Sequence, residues 1–191
     1  MVLSDEEIKC CIDEGRIIID PLIPEHINPN SVDLTLNENC KIYKSYNLDC
    51  RSQNEVEEFV VPKEGYILKP NTLYLYSCNE KIGVPKHEFD SYGHLAARVE
   101  GKSSLGRLGL FVHVTAGWID AGFVGSLVLE LHCVQPLKIY PNMKIAQICF
   151  YKVHGAVREH YGDKSGSKYM DQKGVQESKM YLNFNKDKKQ S

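Results

Sequence analysis

The chain has 191 residues and a formal net charge of −2. That length suits one well-buried domain rather than two, and the near-neutral balance supplies no global field for nucleic acid or an anionic membrane. No apolar run reaches transmembrane length and the N-terminus is a charged, helix-like segment, so the expectation is a cytoplasmic protein with no membrane and no nucleic-acid partner. The seven cysteines, at positions 10, 11, 40, 50, 78, 133 and 149, are odd in number and form no C-x-x-C pair, which suggests neither a disulfide framework nor a zinc site.

Ser4-Asp5-Glu6-Glu7 is a capping-box pattern, and Ile8, Cys11 and Ile12 share one apolar face, so a helix is expected from Asp5 to Glu14, stopped by Gly15. Arg16 to Asp20 reads as a short strand closed by Pro21, and prolines at 21, 24 and 29 make the next segment a loop. Ser31 to Leu36 alternates Val32, Leu34 and Leu36 with polar partners, the pattern of a half-buried strand. Residues 44–58 are polar and weakly patterned, an exposed excursion. Short strands follow at Phe59–Val61, Tyr66–Leu68 and Thr72–Cys78, separated by proline, glycine or asparagine turns. Tyr74 and Tyr76 share a strand face and read as packing residues.

Another strand, from Gly93 to Val99, runs into the turn Gly101-Lys102-Ser103-Ser104 and a short helix over 103–108, which Gly109 ends. Free backbone N–H groups, a lysine and two hydroxyls suit phosphate oxygens. The P-loop glycine four residues earlier is missing, and an ordinary serine-capped helix would carry the same letters. Gly125 to Cys133 reads as a strand with Leu127, Leu129, Leu131 and Cys133 on one face and Val128, Glu130 and His132 on the other. Glu130, flanked by leucines, is either solvent-facing or held in a cavity. Many short strands with turns every eight to twelve residues, and no βαβ alternation, argue for a mainly β sandwich or barrel. From about Lys152 the composition turns to Lys, Gly, Ser, Asp and Gln; residues 158–191 read as a disordered tail, with NKDKKQS a frayed end.

Several of these stretches occur together in one family. GKSSLGRLGL, HVTAGWIDAGF and LVLEL in the middle of the chain, and LSDEEI and NPNSVDLTL towards its start, resemble the dCTP deaminases of the dUTPase-like superfamily. Tyr161-Gly162, Gly166-Ser167-Lys168-Tyr169, Gln172-Lys173-Gly174 and Ser178 are similar to that family's tail. The resemblance implies a distorted β-barrel or jelly roll with a short N-terminal helix and one short helix at the active site, assembled as a homotrimer. It implies one domain over 1–191, with 158–191 as a lid.

It also implies chemistry. Cytosine deamination needs water at C4, a proton on N3 and a proton for departing ammonia, and one carboxylate beside the ring can carry all of these. Glu130 takes that role by resemblance. Ser103 would orient the water, with backbone groups at Thr115 and Ala116 as further partners, and Arg107, four residues on, would add charge on the same helical face. Lys102, Ser104, Leu105, Gly106, Val128, Leu129 and Gln147 match substrate-binding positions, and Tyr161, Lys168 and Gln172 would join when the lid closes. Asp120 opens a second step, activation of water for cleavage at the α-phosphate. Gly117-Trp118 resembles the bifunctional, dUMP-forming branch of the family, the glycine leaving room for that water.

The expected ligands are dCTP, dUTP and dTTP. Mg²⁺ should arrive on the triphosphate rather than in a protein cage. The H-x-E and P-C-x-x-C motifs of zinc base deaminases are missing, so the route implied is zinc-independent. A deaminase releasing dUTP, a dUTPase and a nucleotide-binding regulatory trimer without turnover are the competing readings. Lys102 replaces the arginine more usual in the turn, Ala121 a proline, and Asn142 a glycine.

Overall fold

The computed structural model describes residues 1–113 and 115–184; the frayed end expected at 185–191 lies outside them. Its elements are α1 (Asp5–Asp13), β1 (Ile18–Asp20), β2 (Ile27–Asn28), β3 (Ser31–Tyr43), β4 (Val56–Val60), β5 (Tyr66–Leu68), β6 (Tyr74–Gly83), β7 (Leu95–Gly101), α2 (Ser103–Gly106), β8 (Leu110–Val112), β9 (Trp118–Ile119), β10 (Val124–Cys133), β11 (Leu137–Ile139) and β12 (Lys144–Lys152). The fold is mainly β, as the strand spacing predicts. No helix among the described residues is long and apolar enough to cross a membrane.

The N-terminal helix forms for the reason its sequence gives: the Ser4 side chain accepts from the Glu7 amide at 3.4 Å, and Ile8 and Cys11 face inward. The following strand starts at Ile18 rather than Arg16, because the Arg16 and Ile17 amides still donate to Cys11 O at 2.8 and 3.0 Å. The second helix is shorter than 103–108. It closes at Gly106 as Leu108 and Gly109 bond back only three residues, to Leu105 O and Gly106 O.

One antiparallel sheet, ordered β8-β10-β6-β3-β12-β7-β9, curls round the core. The long β3 makes the curl possible, since it changes partners along its length. Its first half pairs with β12, from Val32↔Ile148 to Thr35↔Lys144. Its second half pairs with β4, Asn39↔Val60 to Tyr43↔Val56, and with β6, from Leu36↔Cys78 across a register break to Cys40↔Tyr76 and Ile42↔Tyr74. The excursion over 44–58 is therefore shorter than its composition suggests, because Val56 already belongs to β4.

The alternation over Ser31–Leu36 predicts a half-buried strand, but all six residues are buried. Burial is tolerated because each polar side chain has a partner. The Ser31 hydroxyl donates to Gln147 at 2.9 Å; Thr35 donates to the buried Glu80 at 2.7 Å; Asp33 accepts from Asn28 at 3.0 Å. Leu34, Leu36, Tyr76, Ile82, Leu129, Leu131, Ile145, Ile148 and Phe150 fill the centre. Asn142 holds a left-handed turn at φ 63°, and its side chain accepts from Asn79 at 2.9 Å.

Ile148 is fully buried and pairs with Val32 on one side and Val99 on the other. Ile148→Ala should cost about 2–5 kcal/mol, read as a lower urea midpoint at unchanged slope.

Candidate functional site

Strand β10 places the central carboxylate. Its burial alternates strictly from Val124 to Cys133, so Leu127, Leu129, Leu131 and Cys133 enter the core while Val128, Glu130 and His132 lie half-buried on the other face. Both edges of the strand are paired, Glu130 opposite Leu75 of β6 and Leu131 opposite Val112 of β8. The backbone at Glu130 is thus fixed, and its side chain faces a cleft of about 520 Å³.

Eight residues singled out in the sequence line that cleft: Ala116, Trp118, Asp120, Val128, Glu130, Tyr161, Lys168 and Gln172. Tyr43 and Phe123 close its sides. One further residue there escaped the sequence reading. His113 lies at the end of β8 with φ 51°, its amide donating to Glu130 O at 3.1 Å and its Nδ1 buried without a partner. Burial holds the His113 pKa below the ordinary imidazole value, against the charge of Glu130 and a hydrogen bond to the Ala116 backbone. The positive φ depends on how the chain leaves β8, which no letter pattern at a histidine reveals.

The C-terminal segment forms the cleft's outer wall. Tyr161 N donates to Ala121 O at 2.8 Å, Asp171 N to Val124 O at 2.9 Å, Ser126 N to Gln172 O at 2.9 Å, and Gln172 Nε2 back to Ser126 O at 2.6 Å. The Tyr161 hydroxyl accepts from the amides of Lys168 and Tyr169 at 3.3 and 3.1 Å. Further on, Ser178 N donates to the Tyr43 hydroxyl at 3.0 Å and Lys41 pairs with Glu177 at 2.9 Å. Gly122 permits this docking: at φ 97°, a Cβ there would sit 2.7 Å from the His160 Cβ.

The residues round α2 form a separate group. Ser103, Ser104, Gly106 and Arg107 are exposed, Leu105 is half-buried, and none of them lines the cleft of its own chain. Leu129 points into the core, so only its backbone can face a ligand. Gln147 is engaged at both ends, accepting from Ser31 at 2.9 Å and donating to Gly101 O at 3.1 Å. Lys102 is ion-paired with the buried Asp33. Gly117 is packed against β7: a Cβ there would lie 2.6 Å from Val99 O, and Val99 N donates to Gly117 O at 2.8 Å. No group of three or more His, Cys, Asp and Glu side chains among the described residues is arranged to hold a metal ion.

Residues 2–153 match the dCTP deaminase-like family. A Clostridium botulinum (strain Eklund 17B) protein called "dCTP deaminase, dUMP-forming" is 44% identical over 186 residues, 97% of this chain and 100% of the relative. Relatives of the same name from Clostridium beijerinckii and Thermobifida fusca are 42% and 38% identical, covering 97% and 98% of this chain and 100% and 97% of their own. The crystal structure of a 2'-deoxycytidine 5'-triphosphate deaminase from Agrobacterium tumefaciens shares the fold, with a TM-score of 0.62 at 21% identity, over 80% of this chain and 48% of that one.

Two consequences can be measured. Gly117→Ala should lower stability by about 1–3 kcal/mol, because Val99 O has no room to retreat without losing its strand contact; thermal unfolding reads this. His160 sits at the root of the tail, buried, with neither ring nitrogen bonded. Burial, with His94 and Lys86 beside it, holds its pKa below the ordinary value, against Asp163. The docked tail therefore binds fewer protons than the released tail, and its docking weakens as pH falls through about 6.5, the ordinary imidazole value. Protease cleavage within 161–178 should be faster at about pH 5.5 than at about pH 7.5, and His160→Phe should remove the difference.

Proposed function

The chain belongs to the dCTP deaminase-like family, and on that footing we propose that it hydrolyses dCTP at both ends of the nucleotide, releasing ammonia, pyrophosphate and dUMP. The observation that carries the reading is the pairing of Glu130 and Asp120 in one cleft walled by the C-terminal segment.

Deamination is assigned to Glu130. Its carboxylate takes a proton from water as the oxygen bonds to C4 and passes it to N3, then takes the proton of the new C4 hydroxyl and gives it to the exocyclic nitrogen as the C4–N bond breaks and ammonia leaves. Phosphate cleavage is assigned to Asp120, which takes a proton from a second water as its oxygen bonds to the α-phosphorus and pyrophosphate leaves. Lys168 supplies a cation on the wall, and the closed segment excludes competing water. Mg²⁺ belongs on the nucleotide in this scheme, held by the triphosphate's own oxygens, and no protein step runs through it. The zinc-independent route rests on the sequence, which lacks the motifs of the zinc deaminases.

Ser103 and Arg107 enter the proposal through assembly. They are exposed and lie outside the cleft of their own chain, so each cleft is completed by the Gly101–Arg107 turn of a neighbouring copy in a cytoplasmic homotrimer. The serine then orients the water and the guanidinium adds positive charge beside Glu130.

Incubation with dCTP and Mg²⁺ should give dUMP, pyrophosphate and ammonia in equal amounts with little free dUTP. Stoichiometric dUTP without pyrophosphate would remove the coupled cut, and absence of ammonia would overturn the deaminase reading. Glu130→Gln keeps the side-chain shape yet cannot shuttle protons; ammonia release should fall about 10²–10⁴-fold while dCTP still binds.

A further inference from the structure

Asp33 is a buried carboxylate, its side chain 3% exposed, and it binds two ammonium groups at once. Oδ1 accepts from Lys102 Nζ and from the Asn28 amide at 3.0 Å, and Oδ2 accepts from Lys144 Nζ at 3.0 Å. The two lysines arrive from different strands. Lys102 follows the end of β7, and Lys144 opens β12, which pairs with β7 through Ala146↔Gly101. Gln147 locks the same corner by its bond to Gly101 O at 3.1 Å. Burial alone would raise the Asp33 pKa, but the bonds from Lys102, Lys144 and Asn28 outweigh it and hold the carboxyl below its ordinary value.

The charge count at this corner does not close. One counter-ion neutralises a buried carboxylate, and Asn28 already occupies a further lone pair, yet a second ammonium is drawn in. Two cations on one anion leave a surplus positive charge and a mutual repulsion. Among the described residues neither lysine has another carboxylate within 4.0 Å. The Lys102 and Lys144 side chains are 26% and 44% exposed, so their remaining N–H groups can reach a ligand from solvent. Both stems are already fixed by Asp33, so less side-chain entropy is lost when an anion lands on them.

We propose that Lys102 and Lys144, held side by side on Asp33, form a two-cation seat for the triphosphate of the nucleotide, with Lys144 a ligand beyond those of the Gly101–Ser104 turn. The seat rests on the nucleotide reading above, in which the base and sugar are neutral and only the polyphosphate carries enough charge to use two ammoniums. A lysine is a point charge without a bidentate fork, and a second lysine beside it gives the phosphates two donors. Asp33 is a positioning residue in this scheme, acting through both side chains.

The test uses the full-length protein, dCTP kinetics and inhibition by inorganic tripolyphosphate. Lys144→Gln should raise KM for dCTP and weaken tripolyphosphate inhibition together, each by about tenfold, as loss of one charged hydrogen bond predicts. The loss should fall on KM rather than kcat, with inhibition by deoxycytidine, which has no phosphate, unmoved. Lys144→Arg should recover most of it. Equal tripolyphosphate inhibition of Lys144→Gln and the parent protein would overturn the seat, whatever happens to turnover. A parent protein that binds tripolyphosphate through Lys144 yet releases no ammonia from dCTP would keep the seat and overturn the deaminase reading. Lys144 is substantially exposed, and thermal melting of each variant separates a binding loss from a folding loss.

Discussion

The double pairing of β10 is the constraint on which the site depends. A ten-residue strand hydrogen-bonded to β6 on one edge and to β8 on the other cannot rotate, and its two-residue period then decides where every side chain goes. Four apolar residues are committed to the core, and that commitment forces Glu130 outward into the cleft. A slip of one residue would bury the carboxylate among leucines and expose the leucines instead. The placement of the proposed proton shuttle is thus a by-product of hydrophobic packing on the opposite face.

The remaining parts of the site are attached to this strand by weaker means. The C-terminal segment is bound mainly through backbone hydrogen bonds to Val124, Ser126 and Ala121, with His160, Val175 and the tyrosines Tyr161 and Tyr169 as its few packed side chains. Few buried apolar groups and many separable hydrogen bonds place this segment at the low end of local stability, as the proposed closing role needs. The Gly101–Arg107 turn is anchored differently, from behind, by charged and amide groups: Asp33 on Lys102 and Gln147 on Gly101 O. The side chains facing away from those anchors, Ser103, Ser104 and Arg107, are left exposed.

Much of this was legible in the letters because local chemistry decides it. The Ser4 cap, the glycine stops and the alternation over 125–133 need no tertiary context. The motifs shared with the dCTP deaminases named Glu130, Asp120, Tyr161, Lys168 and Gln172 together, and all five line one cleft. What the sequence hid was set by long-range contact. Burial of Ser31, Asp33 and Thr35 depends on partners distant in the chain, at Gln147, Lys102 and Glu80. The left-handed backbone of His113 depends on the path out of β8, and the role of Gly117 on a carbonyl in β7. Separation of the α2 residues from the cleft of their own chain is a relation between two surfaces, and no spacing rule encodes it.

The proposed site is divided between copies: Glu130 from the cleft of one chain, Ser103 and Arg107 from the turn of another. Complementation tests that division most directly. Glu130→Gln and Ser103→Ala are each purified as inactive protein, then unfolded together and refolded as a mixture, and ammonia release from dCTP is followed. A shared site predicts that the mixture recovers deamination well above either variant alone, because some mixed assemblies pair an intact Glu130 with an intact Ser103. Activity that stays at the level of the separate variants, in mixtures shown to contain both chains, would place all three residues within one chain and contradict the account.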